Sequence, residues 1–285
     1  MPTYNWSSVL PYSIGSALRQ TFADFELLVV GDGCTDDSES VVAGIGDPRV
    51  RWINLPVNTR HQSGPNNEGL RQARGEIIAY LGHDDLWLPH HLASLVAALD
   101  GADGNGGDVA HGIIAFVGPD GKSTPARVTQ RVPWMPPSGI AHRRTVTERI
   151  GGWRDYRELA VPPESDLLAR ARAAGFRFAF APRLTAIKLP AGLRRDVYKT
   201  RPCHEQAAWL ARIDAEPELE ATLLATWVSE SDWAFRVPYG ELVGRFAAQT
   251  GARLKRRFTH SAEWISMLLH RKAATIDRLR RYKGL

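Results

Sequence analysis

Two adjacent acids, Asp84 and Asp85, follow the apolar run Ile77-Ile78-Ala79-Tyr80-Leu81. That run reads as a buried strand, and open α/β sheets place their ligands beyond the carboxyl ends of strands. Two carboxylates presented there make a hard-oxygen site suited to Mg²⁺ or Mn²⁺ carrying a diphosphate. The same acids also suit a plainer role, capping the helix that starts near Pro89, since proline fits a first helical turn. Asp32 ends a second apolar run, Phe25 to Val30, and Pro2-Thr3 lies in a turn-like segment before it. Glu164 follows Pro162-Pro163 at the start of a further helix, where a carboxylate complements the helix dipole whatever else it does.

The elements that must position these residues alternate. A helix is predicted over 14–21 with Ser13 as N-cap, a strand over 25–30, and a helix through Ala43. A strand over 49–55, a helix over 66–74 and the strand at Ile77 follow. Beyond the paired acids come a helix over 89–99, a glycine-rich loop at 101–107 and a strand over 108–117. A turn at Pro119-Asp120-Gly121-Lys122, a strand over 140–143 and a helix over 145–150 come next. A helix over 162–174 and strands over 176–180 and 184–189 close the region. This β-loop-α alternation predicts a mostly parallel sheet flanked by helices.

From about Arg195 helices take over, at 204–215 and 219–230. Leu254, Phe258, Ala262, Ile265, Leu269, Ala273, Ile276 and Leu279 then recur at helical spacing, with Lys255, Arg256, Arg257, Arg271, Arg278 and Arg281 mostly on other faces. A basic amphipathic helix of this kind can lie on an anionic membrane surface, pack on its own domain or meet a partner. Residues 251–285 hold ten Lys/Arg against Glu263 and Asp277, so the overall charge of +5 belongs to this tail. The rest of the chain carries a slight negative excess. No apolar run reaches the ~18 residues of a membrane span, and the N-terminal segment does not read as a signal peptide. Cys34 and Cys203 form neither a metal pattern nor a disulfide framework, which makes a reducing cytoplasm the expectation.

Several familiar motifs fail. Gly31-x-Gly33 has Asp36 where a dinucleotide fingerprint needs its third glycine. Gly121-Lys122-Ser123 lacks the earlier glycine of a P-loop, whose place is taken by Phe116, and His204-Glu205 lacks a second histidine at Ala208. There is no Gly-x-Ser-x-Gly elbow and no nucleic-acid signature apart from the basic tail.

Four segments do fit one pattern in the right order. They are Pro2-Thr3-Tyr4-Asn5 with Gln20 to Asp36; Asn67-Glu68-Gly69-Leu70 with Ala73 to Trp87; Arg143 to Trp153; and Glu164 to Arg170. Together they resemble family 2 glycosyltransferases of the GT-A fold, over residues 2 to 190. The resemblance implies a glycosyltransferase domain over 1–190 and a helical extension over 191–285. It also implies inverting transfer of a sugar from a nucleotide diphosphate donor, UDP-linked, to an acceptor hydroxyl on a glycan, a lipid-linked or another carrier. Asp32 would accept from the base, Pro2 and Thr3 would line its pocket, and Asp84 would sit near the ribose. Asp85 would ligate Mn²⁺ or Mg²⁺, and Glu164 would be the general base, with Asp166 the competing candidate. Beside these, Arg60 and His61 suit either contact with the diphosphate or base or a plain solvated loop, and His83, which precedes the acids, is a candidate to approach the metal because histidine is a frequent ligand. Polysaccharide biosynthesis, in the cytoplasm or peripherally at the membrane, is the implied setting.

The sequence also departs from that family. A buried first strand usually precedes the Pro-Thr-Tyr-Asn segment, where only Met1 stands here, so an uncovered core edge and unpaired ladder groups are expected. Gly31 and Gly82 stand where many relatives carry a further acid, and Pro163 where an acid often precedes the base. Two other readings stay open: a non-catalytic relative tethered by its basic tail, and a nucleotidyltransferase using the same acids.

Overall fold

The computed structural model describes residues 1–101, 106–125, 135–231 and 281–284. Its first layer is a three-stranded parallel sheet of β1 (Pro2–Thr3), β2 (Leu27–Gly31) and β3 (Val50–Asn54), in that order. All five residues of β2 are buried, as a strand covered on both faces requires. Helices α1 (Leu10–Leu18), α2 (Ser38–Gly44) and α3 (Ser63–Gln72) connect and cover it, with α2 against β3 and α3 against β2. Ser13 is not an N-cap: it is buried inside α1, and its hydroxyl donates to Leu10 O at 3.3 Å. The helix starts earlier than the apolar spacing suggests because Pro11 sets its first turn.

The second sheet holds β4 (Ile77–Ala79), β5 (Leu86–Trp87), β6 (Val109–Val117), β8 (Ile140–Arg143) and β9 (Phe178–Lys188), in the order β4-β8-β6-β9-β5. The short β7 (Ser123–Pro125) is added to β6. This sheet is mixed: β6 and β9 run parallel, whereas the β4–β8, β6–β8, β6–β7 and β5–β9 pairs are antiparallel. The two strands expected at 176–180 and 184–189 are one. A register shift between the Gly112–Ala181 and Ile113–Leu184 pairs loops out Pro182 and Arg183, and Pro182 has no N–H to give the ladder. Helix α4 (His91–Asp100) packs on β6 and β9; α5 (Arg144–Ile150) follows β8; and α6 (Pro163–Ala173) precedes β9.

Between the β2 edge and β4 lies a cavity of about 660 Å³, whose lining includes Met1, Leu27, Leu28, Ile78, Tyr80 and Leu81. The Met1 ammonium donates to Leu28 O at 2.7 Å, so strand-like pairing reaches the first residue. After β9 come α7 (Val197–Thr200), α8 (His204–Ala215) and α9 (Leu219–Ser231). Trp209, Leu210, Ile213, Leu223 and Trp227 of α8 and α9 share one apolar core with Leu86, Val117, Leu184 and Ile187. These helices therefore pack on the mixed sheet. The long basic helix expected after 254 lies outside the described residues.

Two buried histidines give this core a pH limit. His91 stacks on Trp87 with ring centroids 4.3 Å apart, and His142 Nε2 lies 2.9 Å from the Tyr80 hydroxyl. Burial pushes their pKa values down to about 3 and about 4. Their stabilising effect is full above the unfolded value near 6.5. It is lost as pH falls from there toward the folded values, because only the unfolded chain takes up the protons. Urea unfolding at pH 5 should show a loss of roughly 2 kcal/mol per ring relative to pH 7.5. An unchanged midpoint would show that neither ring is held neutral by the fold.

Candidate active site

Strands β1 and β2 end side by side, with Thr3 paired to Gly31, and the chain beyond them opens into a cavity of about 140 Å³. Its lining includes Pro2, Thr3, Asp32, Arg60, His61 and Asp84, which gathers all six residues expected at a nucleotide. The volume is below the ~300 Å³ of a typical ligand pocket, so it suits one part of a nucleotide with the remainder in the open mouth. Tyr4, Asn58, Gln62, His83 and Tyr198 complete much of the wall.

Asp32 organises one side. Its Oδ1 accepts from the Thr59 amide at 2.8 Å and the Thr59 hydroxyl at 2.7 Å, and its Oδ2 from the Arg60 amide at 3.1 Å. These bonds hold Arg60 in the left-handed region, at φ 68°, a strained conformation for a residue with a Cβ. Asp32 thus builds this loop from the cavity wall. His61 is fixed beside it by Ser63, 3.0 Å from Nδ1, and by Tyr156, whose ring centroid is 5.1 Å away.

His83 is buried with both ring nitrogens engaged, by the Thr3 hydroxyl at 2.9 Å and the Tyr198 hydroxyl at 3.1 Å. Burial lowers its pKa. It therefore serves as a strut between β1 and α7, with Trp6 edge-on to both its ring and that of Tyr198.

The paired acids part company. Asp84 lines the cavity, and its main-chain oxygen accepts from Gln206 of α8 at 3.2 Å. Asp85 turns inward and is fully buried. It accepts from the Ser138 hydroxyl at 2.5 Å, the Lys188 ammonium at 2.8 Å and the Leu189 amide at 3.2 Å. Ser138 in turn accepts from the Gly82 amide at 3.0 Å. Burial pushes the Asp85 carboxyl up, and the Lys188 charge pulls it back. Burial also works against the Lys188 ammonium, but Asp85, Asp84 and Glu164 outweigh it and hold its pKa above the ordinary lysine value. Gly82 is explained by the same packing: a Cβ there would come within 2.8 Å of Asp85 Oδ2, an atom two donors hold in place.

The two candidates for general base differ as well. Glu164 is half-buried in the first turn of α6 and acts electrostatically on Lys188. Asp166 accepts from Arg170 Nε at 2.8 Å and pairs with Arg154 at 3.5 Å. Arg170 also donates to the carbonyls of Ile150 and Gly152, each at 2.8 Å, so Asp166 belongs to the clamp that ties α6 to the Gly151-Gly152 turn.

For a divalent ion the fit is partial. Among the described residues no group of three or more His, Cys, Asp or Glu side chains could hold one. Mg²⁺-type sites often use one or two carboxylates with substrate phosphates supplying further ligands. Asp84, on the cavity wall, fits that role; Asp85, the ligand expected from the resemblance, is fully buried and already accepts from three protein donors.

Ser138, Lys188, Tyr156 and Tyr198 were not expected here. Lys188 alone left a signal, as the one charge in the otherwise uncharged run Leu184 to Leu189. Since Asp85 is the internal anchor, Asp85→Ala should cost about 3–5 kcal/mol by leaving Lys188 buried without its partner. Asp84→Ala should cost about 1 kcal/mol or less, in the range of ordinary substitutions. Equal losses in urea unfolding would contradict the division of roles.

The model of glycosyl transferase family 2 matches residues 1–149. An uncharacterized glycosyltransferase of Nostoc sp., alr2836, is 32% identical over 164 residues, covering 52% of this chain and 50% of that protein. The Escherichia coli UDP-Glc:alpha-D-GlcNAc-diphosphoundecaprenol beta-1,3-glucosyltransferase WfgD is 32% identical over 99 residues, 35% of this chain and 39% of its own. The chain thus spans half or less of the length of these curated relatives. Among solved structures, S. aureus TarS 1-349 in complex with UDP-GlcNAc superposes with a TM-score of 0.57 at 20% identity, covering 80% of this chain and 70% of that one. The mannosyltransferase PcManGT from Pyrobaculum calidifontis, in complex with GDP-Man and Mn²⁺, gives 0.54 at 19%, covering 98% and 85%. These two similarities establish the fold, and with the match over more than half the sequence they place this chain in glycosyl transferase family 2.

Proposed function

We propose that this chain transfers a sugar from a nucleotide diphosphate donor, UDP-linked, to an acceptor hydroxyl with inversion at the sugar carbon. The observation that carries this reading is the convergence of Pro2, Thr3, Asp32, Arg60, His61 and Asp84 on one cavity at the ends of β1 and β2. The printed names of relatives fit it: WfgD uses UDP-Glc on a lipid-linked acceptor, and TarS binds UDP-GlcNAc.

In this reading Asp32 accepts from the base N–H, pre-oriented by Thr59 and Arg60. His61, braced by Tyr156, flanks the base. The donor's phosphates lie toward Asp84, which would hold a divalent ion, Mn²⁺ or Mg²⁺. That ion, when bound, supplies positive charge for the leaving diphosphate. Glu164 takes the acceptor proton as the hydroxyl attacks opposite the leaving group. Asp166 is a positioning residue, holding α6 and the turn before it through Arg170. The basic residues of 251–285 suit contact with an anionic surface that carries a lipid-linked acceptor. Among the described residues no helix is long and apolar enough to cross a membrane.

Release of UDP from UDP-glucose, with water as acceptor, tests the assignment. Glu164→Gln should slow release by roughly 10²–10⁴-fold with UDP affinity unchanged. Asp166→Asn should lower the melting temperature and affect release less. An active Glu164→Gln beside a fully folded, inactive Asp166→Asn would exchange their roles. Wild-type protein that neither binds UDP in calorimetry with Mn²⁺ nor releases it would overturn the donor reading.

A further inference from the structure

Lys188 is used by nothing in that mechanism. It ends β9, its side chain is one-fifth exposed, and its Nζ lies 2.8 Å from Asp85 Oδ2. An ammonium has three N–H donors. Among the described residues the bond to Asp85 is the one hydrogen bond Lys188 donates, which leaves two donors for other oxygens. Its position follows from the partner it holds: Asp85 is the chain neighbour of Asp84, which lines the nucleotide cavity, and the Leu189 amide, next along β9's end, donates to the same Asp85 carboxylate. Lys188 is therefore held one residue away from the wall of the nucleotide cavity.

In the donor reading above the diphosphate lies toward Asp84, the chain neighbour of Asp85. Asp85 already accepts from three protein donors, Asp84 offers a single carboxylate, and Lys188 is a cation held in place beside them.

We propose that Lys188 is a phosphate-binding residue of the donor site: a protein-borne cation that contacts the donor diphosphate and supports its binding in the absence of a divalent ion. Asp85 is then the buried counter-ion that aims the ammonium. This inference rests on the donor-site reading above and deepens it. A lysine suits the task because its compact charge meets phosphate oxygens without requiring a fixed bidentate geometry.

The test compares UDP with uridine, which lacks the phosphates, by calorimetric titration in EDTA and in Mn²⁺. Wild-type protein should bind UDP in EDTA within about tenfold of its affinity in Mn²⁺, the size of one charge-assisted contact. Lys188→Met combined with Asp85→Asn removes the pair without stranding a buried charge. The double variant should lose about tenfold or more in UDP affinity in EDTA while uridine affinity stays within about twofold. Lys188→Arg, which keeps the charge, should retain most of the UDP affinity. Equal losses for uridine and UDP would reduce Lys188 to a structural role and overturn the proposal. So would wild-type protein that binds UDP in Mn²⁺ and not at all in EDTA, an outcome that leaves the donor site standing. If UDP fails to bind in either buffer, the donor reading and this inference fall together. The wild-type EDTA titration and Lys188→Arg decide the matter even if the double variant does not fold.

Discussion

The buried carboxylate of Asp85 is the contact on which the site depends. Two elements distant in sequence reach it, the turn carrying Ser138 and the end of β9 with Lys188 and Leu189, and Gly82 of its own loop donates to the same Ser138. A charge taken out of water without partners costs several kcal/mol, so the fold must deliver all three donors together. Doing so fixes the path of residues 82–85. That path turns Asp84 toward the cavity and His83 toward Thr3 and Tyr198. Helix α8 adds a further tie through Gln206 and the Asp84 carbonyl. The helices after residue 190 thus support the same loop as the sheet.

A second carboxylate does comparable work across the cavity. Asp32 holds Thr59 and a left-handed Arg60, much as Asp85 holds its own loop. The two anchors differ in what they leave over. Asp32 remains on the cavity wall, whereas Asp85 is sealed. In the proposed reading they bracket the donor, with base recognition at Asp32 and phosphate charge at Asp84 and Lys188. Asp166 anchors the α6 side in the same manner, through Arg170.

Much of this was legible in the sequence because strand ends carry chemistry in open sheets. Asp32, Asp84 and the Pro2-Thr3 segment follow apolar runs, and the structure brings them to one cavity with Arg60 and His61. Helices α8 and α9 were equally plain from their spacing. Three things were hidden. Asp84 and Asp85 are identical neighbours in the sequence, and only the direction of the loop decides which one faces the ligand. Ser138 and Lys188 arrive at Asp85 from 53 and 103 residues away, a pairing no local pattern records. Two expected strands are one across the looped-out Pro182 and Arg183, because a bulge lets a ladder resume beyond a residue that cannot donate to it. Gly82 was visible as a departure from the family, but its reason, the close approach of Asp85 Oδ2, exists only in three dimensions.

The most direct test of the account is a crystal structure of the protein with UDP. The account predicts the uracil between Asp32 and His61, with the diphosphate beside Asp84 and within hydrogen-bonding distance of Lys188 Nζ. Asp85 would remain buried on Ser138 and Leu189. A nucleotide seated instead in the larger cavity between β2 and β4, or a divalent ion ligated by Asp85 with Lys188 displaced, would contradict it.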